Sequence, residues 1–217
     1  MQLQIAPSIL AADFSRLSDD IRLLNSCADL IHLDIMDGSF VPNISFGFPV
    51  IESIAPLAAI PMDAHFMVVE PWKWVEKASG LGISMMSFHL EACRDRACEL
   101  LENIRSKGMK AGIAVNPDIP VEDLFPYIGK ADYFLVMSVF AGFGGQAFIP
   151  ESLARITALR AELNSRGDTA DIEVDGGINA SNAAQVIKAG ANILVAGSSV
   201  FRASDPAEAV GSLRNSR

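Results

Sequence analysis

The stretch LIHLDIMDGSF, Leu30 to Phe40, decides how the rest of the chain is read. Its first half has the apolar character of a strand buried in a parallel sheet. His32 and Asp34 interrupt that run, where an ionisable group is costly unless it is paired or bound to something. Side chains alternate across a strand, so His32, Asp34 and Met36 share one face while Ile31, Leu33 and Ile35 share the other. One face is purely apolar. The other carries groups that do chemistry.

Working outward, short apolar segments alternate with amphipathic helical patterns along the chain. LQIAPSI, LIHLDIMD, PMDAHFMV, SMMSFHLEA, KAGIAVN, YFLVMSVF, DIEVDGG and NILVAGSS read as strands. DFSRLSDDIRLLNSC, RACELLENIRSKG, ESLARITALRAELNSRG and NASNAAQVIKAGA read as helices, several starting near Asp, Ser or Asn and ending in Gly. Eight such cycles of about 27 residues predict an α/β fold, a single (β/α)8 barrel domain spanning residues 1–217, compact beside the usual ~250. A doubly wound open sheet would want a Gly-rich loop after the first strand, and APSILAADF offers none.

The composition fits one well-buried domain: 217 residues, 50% hydrophobic and 20% charged. A net charge of −9 argues against general binding to nucleic acid or to an anionic membrane surface. It leaves room for a phosphorylated ligand, which backbone N–H groups can hold. Cys27, Cys93 and Cys98 form no CxxC pair and suggest idle thiols in a reducing compartment. MQLQIAPSIL does not read as a signal peptide, and no apolar run reaches the ~18 residues of a bilayer span. A cytoplasmic protein is the expectation.

In a barrel, inward-facing residues near the C-terminal ends of the strands form the active-site floor. Strand 2 supplies His32, Asp34 and Met36 there, and strand 3 supplies Asp63, His65 and Met67 on one face. Strand 7 ends at Asp175, before two glycines, and strand 6 places Met137 at the corresponding height. Two imidazoles and two carboxylates converging from three strands make a site for one divalent ion; Zn, Fe, Mn and Co all accept such mixed ligands. Taken singly, each His could be a satisfied core residue and each Asp a turn former. Their coincidence on three strands favours the ion. His89 on strand 4 shares a face with Ser87 and Glu91 and could line the same mouth, although the ligand set is complete without it. Asp37 begins the turn that leaves strand 2.

A second signal is glycine. AGFGGQ (Ala141 to Gln146), DGG (Asp175 to Gly177) and AGSS (Ala196 to Ser199) follow strands 6, 7 and 8. Barrels often bind phosphate at the last two of these loops, and the lack of Lys or Arg within all three segments fits recognition by backbone N–H groups.

IAPSILAADF, IHLDIMDGSFVPN, MDAHFMV, VMSVFAGFGGQAFIP, EVDGGIN and VAGSSVF together resemble, in order, the signatures of the ribulose-phosphate 3-epimerase family of ketose-phosphate 3-epimerases. The resemblance runs from about Ile5 to Phe201. It implies that His32, Asp34, His65 and Asp175 hold a catalytic metal, one per subunit, and that Asp34 and Asp175 are the acid/base pair. It implies substrate contacts from Ser8 and His65, from Gly142, Phe143, Gly144 and Gly145, from Asp175, Gly176 and Gly177, and from Gly197 and Ser198. Met36, Met67 and Met137 would cap the metal site, and the family commonly forms symmetric oligomers. Two positions depart from the family pattern: Phe140-Ala141 stands where Asn-Pro is usual, and Ser39 where His or a similar polar residue is usual.

The activity implied is inversion of carbon 3 of a ketose phosphate through an enediolate, with D-ribulose 5-phosphate and D-xylulose 5-phosphate as the expected pair. A hexulose 6-phosphate such as D-allulose 6-phosphate is the alternative, given Phe140-Ala141. A metal-free isomerase would leave His32 and His65 without purpose. A related decarboxylase or lyase would carry Lys two residues after Asp34, where Met36 stands. A non-catalytic phosphosugar-binding barrel would not need acid, base and metal ligands together.

Overall fold

A computed structural model describes residues 2–216, so Met1 and Arg217, the two ends of the expected domain, lie outside the described residues. The eight expected strands are β1 (Gln4–Pro7), β2 (Ile31–Met36), β3 (Met62–Met67), β4 (Ile83–His89), β5 (Lys110–Val115), β6 (Tyr133–Met137), β7 (Asp171–Asp175) and β8 (Ile193–Ala196). They form one parallel sheet in the order β1-β8-β7-β6-β5-β4-β3-β2. The circle is nearly closed. Between β1 and β2 the strand ladder shrinks to one parallel bridge, Ser8 to His32. Asp29 reinforces that seam: its carboxylate accepts the Ile5 N–H at 2.8 Å and its own N–H donates to the Ile5 carbonyl at 3.0 Å.

Each predicted helix is present, with trimmed ends: Leu17–Cys27, Ala97–Ser106, Ser152–Ser165 and Ala183–Ala189. Gly190 ends the last of these at φ +121°, a conformation open to glycine without strain. The crossover from β5 to β6 is instead a 3-10 stretch, Val121–Tyr127, with Pro126 inside it. Proline has no N–H to sustain an α-helical ladder there. Strand 4 also ends earlier than the sequence pattern predicts. The chain turns into a helical turn at Leu90–Cys93, so Glu91 leaves the face shared by Ser87 and His89.

The two faces of β2 separate as the alternation predicts. Ile31, Leu33 and Ile35 belong to the main core with Ile21, Leu24, Ile51 and Ile54 from the surrounding helices. Inside the barrel, Leu30, Met85, Tyr133 and Ile193 plug the end at which the strands begin, and Ala6 and Val195 continue this apolar cluster toward the cavity. The polar side chains His32, Asp34, Asp63, His65, Ser87, His89 and Glu173 are all buried. The three cysteines are free, and burial pushes the Cys93 thiol up to about 12, which suits an inert thiol. Among the described residues no helix is long and apolar enough to cross a membrane.

The plug is tight at Gly112, which pairs with Tyr133 across β5 and β6. A Cβ added at Gly112 would lie 2.2 Å from Tyr133 Cζ. Gly112→Ala should therefore destabilise the fold by about 1–3 kcal/mol, and the double change with Tyr133→Leu should recover part of that loss. Urea unfolding of the three proteins checks this; an unchanged midpoint for Gly112→Ala would contradict the packing.

Candidate active site

The register of β2 against β3 sets Asp34 beside His65 and His32 beside Asp63. That of β6 against β7 sets Met137 beside Asp175. As a result His32, Asp34, His65 and Asp175 each present one donor atom, all within 4.8 Å of one another. Asp34 Oδ1 is 3.4 Å from His32 Nε2 and 3.3 Å from His65 Nδ1, and His65 Nδ1 is 3.8 Å from Asp175 Oδ2. His32 Nε2 is fully buried with no hydrogen-bond partner, and an orphaned buried nitrogen calls for one. Two imidazoles, two carboxylates and that orphan fit a divalent transition-metal ion.

The two carboxyls sit in opposite electrostatic states. Burial disfavours a charge on Asp34, but the positive charge of His32 and a hydrogen bond from His65 outweigh it and hold its carboxyl well below the usual range. Burial, then the negative charge of Asp34, pushes Asp175 up to about 7. Its side chain is still 17% exposed, enough to face the cavity. Asp34 also accepts a short hydrogen bond, 2.5 Å, from Ser8 Oγ.

Asp63 lies one layer deeper than the four donors. Its Oδ2 is 2.7 Å from His32 Nδ1 and its Oδ1 accepts from Tyr133 OH at 3.1 Å, which orients His32 with Nε2 toward the site. Glu173, which sequence reasoning did not single out, completes this lower layer 3.5 Å from His32 Nδ1. Burial and then the Asp63 charge drive its carboxyl well above the usual range. Its signal was available: Glu173 shares the strand face of Asp175, two residues on.

A cavity of about 660 Å³ opens above Asp34 and Asp175. Ser8, Met36, Met67 and Met137 line it, as do Gly142, Phe143, Gly144, Gly145, Gly176, Gly177, Gly197 and Ser198. His32 and His65 do not, being fully buried behind the acids. His89, also fully buried, ends β4 beside His65, its Nε2 2.9 Å from His65 Nε2 and its ring 4.8 Å from that of Phe40. Ser39 is exposed and outside the cavity, and Asp37 serves the turn, accepting the N–H groups of Ser39, Phe40 and Val69.

Sequence reasoning did not assign five polar side chains of the cavity to the site: Asn43, Gln146, Asn179, Ser199 and Arg202. Arg202 follows Ser198 by one helical turn and brings to the rim a positive charge that the glycine loops lack. Gln146 donates to the carbonyls of Phe140 and Phe143, and Asn43 to that of Gly142, so side chains brace the mouth loop. Gly177 has its own structural reason, since a Cβ there would meet Phe148 N at 2.4 Å.

Fold and site together define a (β/α)8-barrel enzyme whose acids stand at the C-terminal ends of the strands. Residues 4–201 match the model of the ribulose-phosphate 3 epimerase family. Over 215 residues the chain is 46% identical to the ribulose-phosphate 3-epimerase of Synechocystis sp., covering 98% of this chain and 94% of that one. It is 43% identical over 217 residues to a rice protein (Oryza sativa subsp. japonica) named ribulose-phosphate 3-epimerase, cytoplasmic isoform, covering 98% and 93%. The solved orotidine 5′-phosphate decarboxylase of Pyrococcus horikoshii shares the fold, with a TM-score of 0.70 at 13% identity over 98% of each chain. The chain belongs to the ribulose-phosphate 3-epimerase family, and it is an isomerase.

The donor set predicts that chelator-stripped protein gains stability on adding Zn²⁺, Mn²⁺ or Co²⁺, by about 2.7 kcal/mol at a free concentration of 100 times Kd. The same additions should leave His32→Ala nearly unmoved. Thermal melts with and without each cation check this.

Proposed function

We propose that this chain interconverts D-ribulose 5-phosphate and D-xylulose 5-phosphate by moving a proton at carbon 3, with Asp34 and Asp175 as the acid/base pair and one divalent cation held by His32, Asp34, His65 and Asp175. The observation that carries the proposal is geometric: the carboxyls of Asp34 on β2 and Asp175 at the end of β7 face one cavity, and each presents an oxygen to the same cluster as His32 and His65. One can take a proton while the other gives one, which is what inversion without net proton uptake requires. The cation, when bound, supplies positive charge to the oxygens that become negative in the enediolate.

The remaining work falls to the chain. Ser8 Oγ holds Asp34 in place through its 2.5 Å hydrogen bond. Met36, Met67 and Met137 give the floor an apolar, polarizable lining that limits water. The glycine loops at 142–145, 176–177 and 197 would let backbone N–H groups approach the phosphate, with Arg202 adding charge at the rim. Anchoring the phosphate fixes which carbon lies between the aspartates.

A hexulose 6-phosphate is the second reading, favoured by Phe140-Ala141 at the mouth, where Phe140 lines the cavity while remaining half exposed. The chain is proposed to act as a single barrel domain within a homo-oligomer in the cytoplasm; the name of the rice relative supports that compartment. Asp34→Asn and Asp175→Asn should each lower kcat/KM at least about a thousandfold with the circular dichroism spectrum unchanged. Wild-type protein in D₂O should place deuterium at carbon 3 of ribulose 5-phosphate faster than at the same carbon of a ketohexose phosphate. Near-normal turnover in either variant would refute the acid/base assignment, and a reversed preference would favour the second reading.

A further inference from the structure

From His65 a line of buried and half-buried polar groups runs behind the cavity, and beyond His65 the proposed reaction leaves them unused. His65 turns Nδ1 toward Asp34 and Asp175, at 3.3 and 3.8 Å. Its other nitrogen, Nε2, sits 2.9 Å from His89 Nε2. Two ring nitrogens at that distance need one proton between them. If His65 Nδ1 gives its lone pair to a cation, its proton is on Nε2 and donates to His89 Nε2. His89 then carries its own proton on Nδ1, which faces Glu91 Oε1 at 3.4 Å. Glu91 Oε1 also accepts the Asn116 backbone N–H at 3.0 Å and the Asn116 side-chain amide at 2.9 Å. The remaining atom of that amide, Oδ1, accepts the Ala141 N–H at 2.9 Å. Every donor in the line meets an acceptor, and the two arms converge on Glu91: His65 and His89 donate toward it from the ligand side, Ala141 and Asn116 from the side of the mouth loop.

Arg155 clamps the far end. One guanidinium nitrogen donates to the Met137 carbonyl at 2.9 Å, and another to the carbonyls of Asn116 and Ile119 at 2.8 and 3.1 Å. The ends of β5 and β6 are thereby tied to each other beside Glu91. Neither Glu91 nor Asn116 lines the cavity.

We propose that Glu91 and Asn116 are positioning residues: acting through His89, they fix His65 with Nδ1 toward the cation, and Asn116 ties that arrangement to the root of the Phe140–Gln146 loop through the Ala141 amide. The inference rests on the reading of His65 as a cation ligand. It accounts for a half-buried glutamate and a further buried histidine that the ligand set does not require, and for an asparagine whose amide is used at both ends.

The test is titration of chelator-stripped protein with Co²⁺, followed by visible absorption, alongside epimerase kinetics on ribulose 5-phosphate. Glu91→Ala and His89→Phe should each weaken cobalt binding about 10–100-fold and alter the spectrum of the bound ion, the phenylalanine keeping the ring while losing both nitrogens. Glu91→Gln retains an acceptor oxygen and should bind within threefold of wild type. Asn116→Ala should both weaken cobalt binding and raise KM several-fold. Cobalt binding within threefold of wild type in a folded Glu91→Ala or His89→Phe protein overturns the proposal. So does a Glu91→Gln protein as weak as Glu91→Ala, or an Asn116→Ala protein with unchanged KM and unchanged binding. A wild-type protein that binds no cobalt overturns the underlying cation reading instead, which the stripped wild-type titration tells apart.

Discussion

Burying the carboxylate of Asp34 at the centre of the barrel is the constraint around which the other parts are arranged. Removing a charge of this kind from water costs several kcal/mol unless partners replace the lost hydration. Here they come from three strands or their ends: Ser8 after β1, His32 on β2 itself and His65 on β3. Satisfying Asp34 therefore fixes the relative heights of three strands. The negative charge so retained bears on Asp175 across the cavity and, together with burial, raises its carboxyl. Stability and chemistry draw on the same contacts.

The interior is organised as layers of different polarity. At the bottom an apolar plug closes the barrel around Tyr133; above it lie Asp63 and Glu173, then the imidazoles, then the two aspartates facing the cavity. Each polar layer is supported by the one below, as in the run from Tyr133 OH to Asp63 to His32 Nδ1. That ordering leaves His32 Nε2 pointing upward without a partner. A ring held from below and bare on top is preorganised for a ligand from above.

Much of this was legible in the sequence because strand alternation is a strong signal. His32, Asp34 and Met36, followed by Asp63, His65 and Met67, announced a polar inner face on two neighbouring strands, and the structure puts them there. What the pattern could not give was depth. Asp63 and His65 look equivalent in sequence, but the register places one against His32, away from the cavity, and the other beside Asp34. Glu91 was expected on a strand face that ends at His89, since a run of apolar residues does not mark where a strand becomes a helical turn. Asn116 and Arg155 act through contacts between residues 25 and 39 positions apart, which no local period records. Arg202 was missed because the glycine segments were read alone, without the helical turn that carries the chain back to the rim.

Between β1 and β2 the barrel keeps a seam. A cylinder slit along one side is held shut there by few fastenings, and one of them, Ser8, is also a wall of the pocket. At the slit's lower edge Asp29 grips the Ile5 N–H and the side chain of Arg214, which belongs to the C-terminal helix. The last turn of the chain thus acts as a hasp over the joint where the first strand meets the second. Breathing of the barrel should concentrate along this line, so that the part most easily loosened borders the part that must be held most still.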